Sequence, residues 1–436
     1  KKMIQAVMVA GRHRAYEQEV ARQRIPYETW IKDKMQEKLA GWKQQAQNSA
    51  QQGNTLPAVG VVSYSQLAAA YDSRQFLEMH AEEILLFAED PGKLVPEAAF
   101  VIGYFFASHA DCGICYPDEL AWLKPDWSPD TLQSFFYFGH VFAVRRSCIE
   151  AMQEQLDSLK RLPEQPDGLH FFLYAFVLTC LDHTGSAAHL SYMLYQGEKD
   201  HVWGYGAAFD AIRAGHRFSD PSPEECLGKV SVIIASKDHP ALLSHCIHSI
   251  REFTDYRNVE IIVVDNGSND ENRARIERMR DQAVLEASFS YYYEVMPFNF
   301  SRMCNIGASH ATGDFLLFLN DDTEAVQPRW LGKMVAKAAK PYIGAVGVKL
   351  LYPDGKTIQH AGVTNIHLGP AHKLQIASDL TSHYYGWNRN AVNCAAVTGA
   401  CLLVRREVFD QAGGWKEELE VAFNDVELCY RIRELG

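Results

Sequence analysis

The hydrophobic positions of the chain change rhythm along its length. From Tyr27 the apolar residues Trp30, Ile31, Met35 and Leu39 recur at helical spacing among Lys, Arg, Gln, Glu and Ala, which predicts a helix to about Ser49 with one packed face. Residues 44–55 are polar and read as a linker. Residues 59–63 and 84–87 read as strands with a helical stretch between them. A second linker, acidic and rich in proline, covers residues 220–225. A sharp strand–helix–strand pattern then begins at Val230: β-branched residues to 235, helical periodicity over 241–253, and an apolar strand over 259–264. Residues 316–319 are apolar at every position, which predicts burial on both faces, the usual state of a parallel strand between helices. The expected organisation is a helical N-terminal segment with linker (1–55), an α/β domain (56–215) and a second α/β domain (216–436).

The two α/β segments repeat one another. Glu83-Ile84-Leu85-Leu86-Phe87-Ala88-Glu89-Asp90-Pro91 parallels residues 314–322, Tyr116-Pro117-Asp118 parallels Tyr352-Pro353-Asp354, and Val144-Arg145-Arg146 parallels Val404-Arg405-Arg406. The correspondences keep their order and approximate spacing, as expected of tandem copies.

In the second copy each strand ends in polar residues: Ser236-Lys237-Asp238, Asp265-Asn266-Gly267-Ser268 and Asn320-Asp321-Asp322. Open α/β sheets bind ligands at the carboxyl ends of their strands. A carboxylate at such a tip can accept hydrogen bonds from a base N–H or a ribose hydroxyl, and Gly267 lets the backbone turn tightly beside it. Asp321 and Asp322 repel one another, and a divalent cation with oxygen ligands relieves that repulsion.

Composition narrows the class. With 436 residues, 47% hydrophobic and 22% charged, the chain reads as an ordinary globular protein too long for one core. Its formal charge of −12 argues against a nucleic-acid partner. The ten cysteines are scattered; Cys112 and Cys115 form a lone C-x-x-C with no second pair, so ordinary buried thiols in a reducing cytoplasm are expected. The most apolar run, residues 171–181, falls well short of the roughly 20 residues of a membrane-spanning helix. Any membrane association is expected to be peripheral, at the inner face of the cytoplasmic membrane. No signal peptide is visible, and the sequence starts at Lys1 rather than Met.

The second half resembles the catalytic domain of family 2 glycosyltransferases, which have the GT-A fold. The matching pieces are SVIIASKD, IIVVDNGS, FNFSRMCNIGASHATGDFLLFLNDD, TGACLLVRREVF and FNDVEL. The resemblance implies an α/β fold with a mixed, mostly parallel sheet flanked by helices. It also implies inverting transfer of a hexosyl or deoxyhexosyl group from a nucleotide-sugar donor (UDP-, dTDP- or GDP-linked) to a glycan or lipid-linked glycan acceptor. By this resemblance Asp322 is the ligand of a divalent metal, Mn²⁺ or Mg²⁺, and Asp425 is the catalytic base. Ser236, Asp238, Asp265, Asn266, Gly267, Asn320 and Asp321 serve the donor. Arg302 and Asn305 either reach its phosphates or brace a loop. Thr398, Gly399, Ala400 and Trp415 lie on the acceptor side, although Thr398-Gly399-Ala400 also reads as a small-residue strand entry and core packing suits Trp415 better than sugar stacking. His360 and His372 offer acceptor or metal contacts, while an isolated histidine is more often structural. Independently of the resemblance, Asp425 suits the first turn of a helix, where the macrodipole stabilises it.

The first copy reads as degenerate. Pro91 stands where Asp322 does, and the stretch between Val59 and Ile84 is too short for a counterpart of the Asp265 half-sheet. Lys124-Pro125-Asp126-Trp127-Ser128-Pro129-Asp130 resembles a signature of tandem family 2 enzymes of bacterial surface-polysaccharide (O-antigen or capsule-like) synthesis. Scaffolding, acceptor-chain binding or oligomer contact are its expected jobs, and Asp167 is a candidate relic of the base; partner glycosyltransferases are among the partners expected of the whole protein. Relatives continue beyond the helix bearing Asp425 into a strand and a histidine, so a fragment or weakened metal binding is expected. Two other readings stand beside this one: a nucleotidyltransferase, and a non-catalytic glycan-binding or scaffold protein.

Overall fold

The computed structural model describes residues 27–69, 72–120, 122–159, 162, 167–197, 204–221, 228–283, 289–366, 369–384 and 386–436. The apolar runs of the second half become the strands β6 (Val230–Ser236), β7 (Val259–Asp265), β8 (Phe289–Tyr293), β9 (Phe315–Asn320), β10 (Ala345–Gly347) and β15 (Cys401–Arg405) of one sheet, in the order β10-β15-β9-β6-β7-β8. Between β10 and β15 lie two small antiparallel pairs: β11 (Leu350–Leu351) with β12 (Ile358–His360), and β13 (Val363–Ile366) with β14 (Gly369–His372). β6 pairs parallel with β7 and β9, and β7 with β8; β15 runs antiparallel to both β9 and β10. The mixed, mostly parallel sheet is therefore present. β9, however, has one antiparallel neighbour, because an apolar run buried on both faces satisfies either pairing.

Alternation along these strands builds two cores. Val232, Ile234, Leu317 and Leu403 face one layer with α4 (Pro240–Phe253) and α7 (Trp330–Ala338). Ile233, Leu316, Phe318 and Leu402 face the other, with α6 (Phe300–His310), α8 (Arg406–Gln411) and α9 (Asn424–Glu434). At Gly307 in α6 an added Cβ would lie 2.3 Å from Ile233 Cγ2, so only glycine lets this helix reach the sheet so closely. In register, Ser236 pairs with Asp265 and Ala235 with Asn320, so the polar strand ends are adjacent. α5 (Asp270–Ala283) follows the β7 tip.

The chain divides into two compact units: Lys1–Trp127 with Phe135–Arg217, and Ser128–Ser134 with Phe218–Gly436. In the first unit β1 (Val59–Ser63), β2 (Ile84–Ala88), β3 (Ile114–Glu119), β4 (Val141–Arg145) and β5 (Ala188–Tyr195) form a sheet in the order β1-β2-β4-β3-β5. Its path β1-β2-β4-β3 repeats β6-β9-β15-β10 with the same orientations: parallel, antiparallel, antiparallel. Among the described residues nothing corresponding to β7 and β8 flanks β1, which is an edge strand there. α1 (Tyr27–Gln51) belongs to this unit, with Leu39 buried and Met35 and Trp42 packed on its core.

The repeated Val-Arg-Arg has a physical reason in both units. Arg145 donates to the carbonyls of Phe106 (3.2 Å) and His109 (3.4 Å), capping the C-terminus of α2 (Ala98–Ser108). Arg405 likewise donates to the carbonyls of Ala338 (2.5 Å) and Lys340 (2.8 Å) at the end of α7. The next arginine pins the start of the central strand, Arg146 N–H to Glu83 O at 2.9 Å and Arg406 N–H to Asp314 O at 2.8 Å. The Tyr-Pro-Asp repeat diverges: Tyr116–Asp118 lies within β3, whereas Asp354 caps a turn after β11 by accepting from Lys356 and Thr357 N–H, each at 2.9 Å.

The nine described cysteines are all free, and burial pushes their thiols up, to about 11 at Cys112 and about 12 at Cys246. The 220–225 linker lies, beyond Pro221, outside the described residues.

Candidate active site

The site is assembled at the carboxyl ends of β6, β7 and β9. Ser236 is buried, and its hydroxyl donates to Asp321 Oδ2 at 2.7 Å, which ties the β6 and β9 tips together. Burial holds the Asp321 carboxyl above its ordinary pKa; the neighbouring charge of Asp322 adds to this and the Ser236 hydroxyl opposes it. Asp322 is exposed, so of the adjacent pair Asp321 faces the sheet and Asp322 faces solvent. Asn320 is fixed by its backbone, its N–H donating to Ala400 O at 3.0 Å.

Asp265 is fully buried, and its side chain turns inward. Oδ1 accepts from Ser268 N–H (2.9 Å) and Oγ (2.8 Å), and Oδ2 accepts from the Tyr291 hydroxyl at 2.5 Å. Asp265 has no exposed surface, and with Oδ1 accepting twice and Oδ2 once it shapes the 265–268 turn from within. Asn266 is buried as well: Nδ2 donates to Met296 O at 2.7 Å, and Oδ1 has no hydrogen-bond partner among the described residues. Gly267 supplies the positive φ of 72°. Asp238 also has a left-handed backbone (φ 55°); its Oδ1 accepts from the Asn272 side-chain amide (3.0 Å) and from Asn269 N–H (2.9 Å), which lower its pKa, and also from the Asn269 side-chain amide (2.8 Å). Tyr291, Asn269 and Asn272 are residues that reading the sequence did not single out. Tyr291 sits in an ordinary aromatic strand, and only the β7–β8 pairing brings it to Asp265.

Asp425 occupies the first turn of α9. Its Oδ1 accepts from Val426 N–H at 2.8 Å and its Oδ2 from Gly399 N–H at 2.9 Å. The next residue, Ala400, accepts from Asn320, so a single step of backbone separates the contact to Asp425 from the contact to the acidic tip. Asn424 is buried and donates to Ser301 Oγ at 3.0 Å, fixing the helix start to α6. Thr398 is buried, and its N–H donates to His360 Nε2 at 3.3 Å.

Of the two readings open for Trp415 and Asn305, the packing is the structural one in both. Trp415 is 2% exposed, with its ring edge-on to Phe300 (5.7 Å) and Phe318 (5.1 Å), so no face is open to stack on a sugar. Asn305 grips Trp415 through both sides of its amide, Oδ1 accepting from Trp415 N–H (2.9 Å) and Nδ2 donating to Trp415 O (2.8 Å), and so braces the loop. Arg302 is exposed on α6. In the first unit Asp90 caps a short turn by accepting from Gly92 N–H at 2.9 Å. Asp167 is the left-handed residue preceding α3 (Gly168–Thr184), as Phe423 is before α9; counted from the helix start, Leu169 takes the place of Asp425.

Among the described residues no group of three or more His, Cys, Asp and Glu is arranged to hold a metal ion. The Asp321–Asp322 pair nevertheless fits a cation of the Mg²⁺ type, which is commonly held by one or two carboxylates with substrate phosphates completing its shell. The raised pKa of Asp321 is the electrostatic cost that such a charge offsets.

Residues 231–413 match the sequence description "Glycosyl transferase family 2". The chain is 33% identical over 387 residues to the O-antigen biosynthesis protein RfbC of Myxococcus xanthus, covering 80% of this chain and 29% of that protein. It is 30% identical over 128 residues to the GalNAc(5)-diNAcBac-PP-undecaprenol beta-1,3-glucosyltransferase of Campylobacter jejuni, covering 29% of this chain and 40% of that protein. The chain thus spans well under half the length of these relatives. A mannosyltransferase, PcManGT of Pyrobaculum calidifontis, solved with GDP-Man and Mn²⁺, overlaps 48% of this chain and 53% of its own at 20% identity and a TM-score of 0.37.

Proposed function

Residues 231–413 of this chain belong to glycosyl transferase family 2, and from that membership we propose that the protein moves a sugar from a nucleotide-linked donor to a glycan hydroxyl, with inversion, in bacterial surface-polysaccharide synthesis. The observation that carries the reading is the Asp425 carboxylate, fixed by the amides of Val426 and Gly399 beside the Asn320–Asp322 strand tip. Each of its oxygens accepts one protein hydrogen bond and keeps capacity for a second. An acceptor hydroxyl in that place gives its proton to Asp425 as its oxygen bonds to the anomeric carbon. The bond from that carbon to the diphosphate breaks, and the nucleoside diphosphate leaves with the electron pair. One displacement from the face opposite the leaving group inverts the centre.

Asp322, supported by Asp321, is the residue we assign to hold a divalent cation, which when bound supplies positive charge to the departing diphosphate. Asp321 is oriented by Ser236, and the 265–268 turn, held in shape by Asp265, presents its backbone to the nucleoside. UDP-, dTDP- and GDP-sugars all suit this arrangement. The acceptor is a glycan or lipid-linked glycan, in keeping with the undecaprenol-linked substrate named for the Campylobacter relative. No helix among the described residues is long and apolar enough to cross a membrane, and we assign peripheral contact with the cytoplasmic membrane. The first unit, in whose described residues β7 and β8 have no counterparts, is assigned a supporting role in acceptor binding or assembly.

The test is to incubate the protein and Mn²⁺ with UDP-, GDP- and dTDP-sugars and alkyl glycosides, then follow diphosphate release and the anomeric configuration of the product. Transfer with inversion, abolished by Asp425→Asn, is expected. Retention of configuration, or wild-type transfer by that variant, would overturn the mechanism.

A further inference from the structure

His360 and His372, at the ends of β12 and β14, meet Nδ1 to Nδ1 at 2.7 Å with their rings at 80°. Their proton positions follow from the backbone. Two amides, Gly362 N–H (3.2 Å) and Thr398 N–H (3.3 Å), donate into His360 Nε2, and an amide has no acceptor role at its nitrogen. A neutral imidazole that accepts at Nε2 carries its hydrogen on Nδ1. His360 therefore donates from Nδ1 to Nδ1 of His372, which leaves the hydrogen of His372 on Nε2. Burial, with a smaller contribution from His372, pushes the pKa of His360 down to about 3, so its ring is neutral at physiological pH. His372 is exposed as a residue, yet shielding of its ring also lowers its pKa, with the nearby negative charge of Asp425 opposing.

The two buried amides that set this arrangement and the base are consecutive in the chain. Thr398 N–H fixes His360, and Gly399 N–H fixes Asp425 Oδ2 at 2.9 Å. One peptide segment thus sets both an acceptor of protons, Asp425, and a neutral donor on an open side chain, His372 Nε2–H. A donor there does not suit the attacking oxygen, whose lone pair must reach the anomeric carbon. It suits the oxygen next to it on a sugar ring, which lies within a hydrogen-bond length of the reacting hydroxyl. Metal ligation fits poorly, because Nδ1 of His372 is already accepting. Freeing its Nε2 lone pair requires moving the hydrogen of His360 from Nδ1 to Nε2, where two amides already donate.

We propose that His372 is an acceptor-positioning residue whose Nε2–H donates to a saccharide oxygen neighbouring the hydroxyl that Asp425 deprotonates. The acceptor is accordingly a sugar with a free oxygen beside its reacting hydroxyl. This rests on the assignment of Asp425 as base.

The test has two readouts on the full chain. Long-range ¹H–¹⁵N spectra of histidine-labelled protein, with signals assigned by their loss in His360→Gln and His372→Gln, should show His360 protonated on Nδ1 and His372 on Nε2. With octyl glycosides of glucose, galactose, rhamnose and N-acetylglucosamine as probes, His372→Phe should raise the acceptor KM about three- to tenfold, the scale of one neutral hydrogen bond. The kcat should change far less, and His372→Gln, which keeps an N–H, should recover most of the loss. Nucleotide affinity measured on each variant checks that it is folded. The inverse tautomer, or an unchanged acceptor KM in His372→Phe, would overturn the proposal. A wild-type protein that transfers to none of the probes would overturn the transferase reading itself.

Discussion

Gly399 donates its amide hydrogen to Asp425 Oδ2 at 2.9 Å, and a Cβ added to it would lie 2.9 Å from Trp415 Cη2 and 3.4 Å from Asp425 Cβ. The residue has to be glycine because the buried indole and the carboxylate close on its Cα from two sides. Trp415 cannot give way, since Phe300 and Phe318 hold its ring and Asn305 holds its backbone. Gly399→Ala should therefore displace the loop and the Asp425 contact together. The expected result is a stability loss of about 1–3 kcal/mol and a transfer rate reduced at least tenfold. Nucleotide affinity should fall much less than the transfer rate, because the 265–268 turn does not rest on this contact and only the Asn320–Ala400 hydrogen bond links the loop to the acidic tip. Urea unfolding and calorimetry on the same variant check the two halves.

Acid stability should depend on Glu260. This buried residue of β7 accepts from Lys229 Nζ (2.8 Å), Ser231 Oγ (2.6 Å) and Thr312 N–H (2.7 Å). Burial alone would raise its pKa, but those donors outweigh it and bring the carboxyl to about 2. The folded value lies below the unfolded one, near 4.3. Its contribution is therefore complete above that unfolded value and is lost as pH falls through about 2. Glu260→Gln should cost on the order of 3 kcal/mol at neutral pH and flatten the stability–pH curve between about pH 4.5 and pH 2. Thermal unfolding across that range measures it.

The short segment Ser128–Ser134 is held in the second unit by a buried charge cluster. Asp130 Oδ1 accepts from Lys340 Nζ (2.8 Å) and Lys337 Nζ (3.0 Å), and both lysines also pair with Asp220. Asp130 is buried, which raises its pKa, but the two lysines prevail and lower it. Removing Asp130 leaves the buried Lys340 and the largely buried Lys337 sharing the single, partly exposed carboxylate of Asp220, so Asp130→Ala should cost about 3–5 kcal/mol. The loss should appear as a lower denaturant midpoint, and Asp130→Asn, which keeps a polar oxygen, should lose less.

Much of this was legible in the chain. β6, β7 and β9 announce themselves as apolar runs ending in polar residues; of the three ordered matches between the halves, the central strand and the Val-Arg-Arg take like places in both sheets, whereas Tyr-Pro-Asp lies in a strand in one and in a turn in the other. What the pattern hides is direction and partnership. The Leu316–Leu319 run looks the same whether its neighbour is parallel or antiparallel, so the β15 pairing was invisible. Asp265 reads as a ligand-facing strand tip, but Tyr291, 26 positions later, takes one of its oxygens. Trp415 reads as either a platform or core, and only the closure of Phe300 and Phe318 around it decides. The repeated arginines read as pattern without purpose, because the carbonyls they cap lie at helix ends fixed by packing. His360 and His372 read as unrelated until the β13–β14 hairpin brings them together.

The most direct measurement is calorimetric titration of the protein with UDP, GDP and dTDP, each with and without Mn²⁺, repeated on Asp322→Ala. A donor site at the β6–β7–β9 tips requires Mn²⁺-dependent binding of at least one nucleotide, lost in Asp322→Ala. Nucleotide binding that ignores Mn²⁺ and survives Asp322→Ala, or no binding of any of the three, would contradict it.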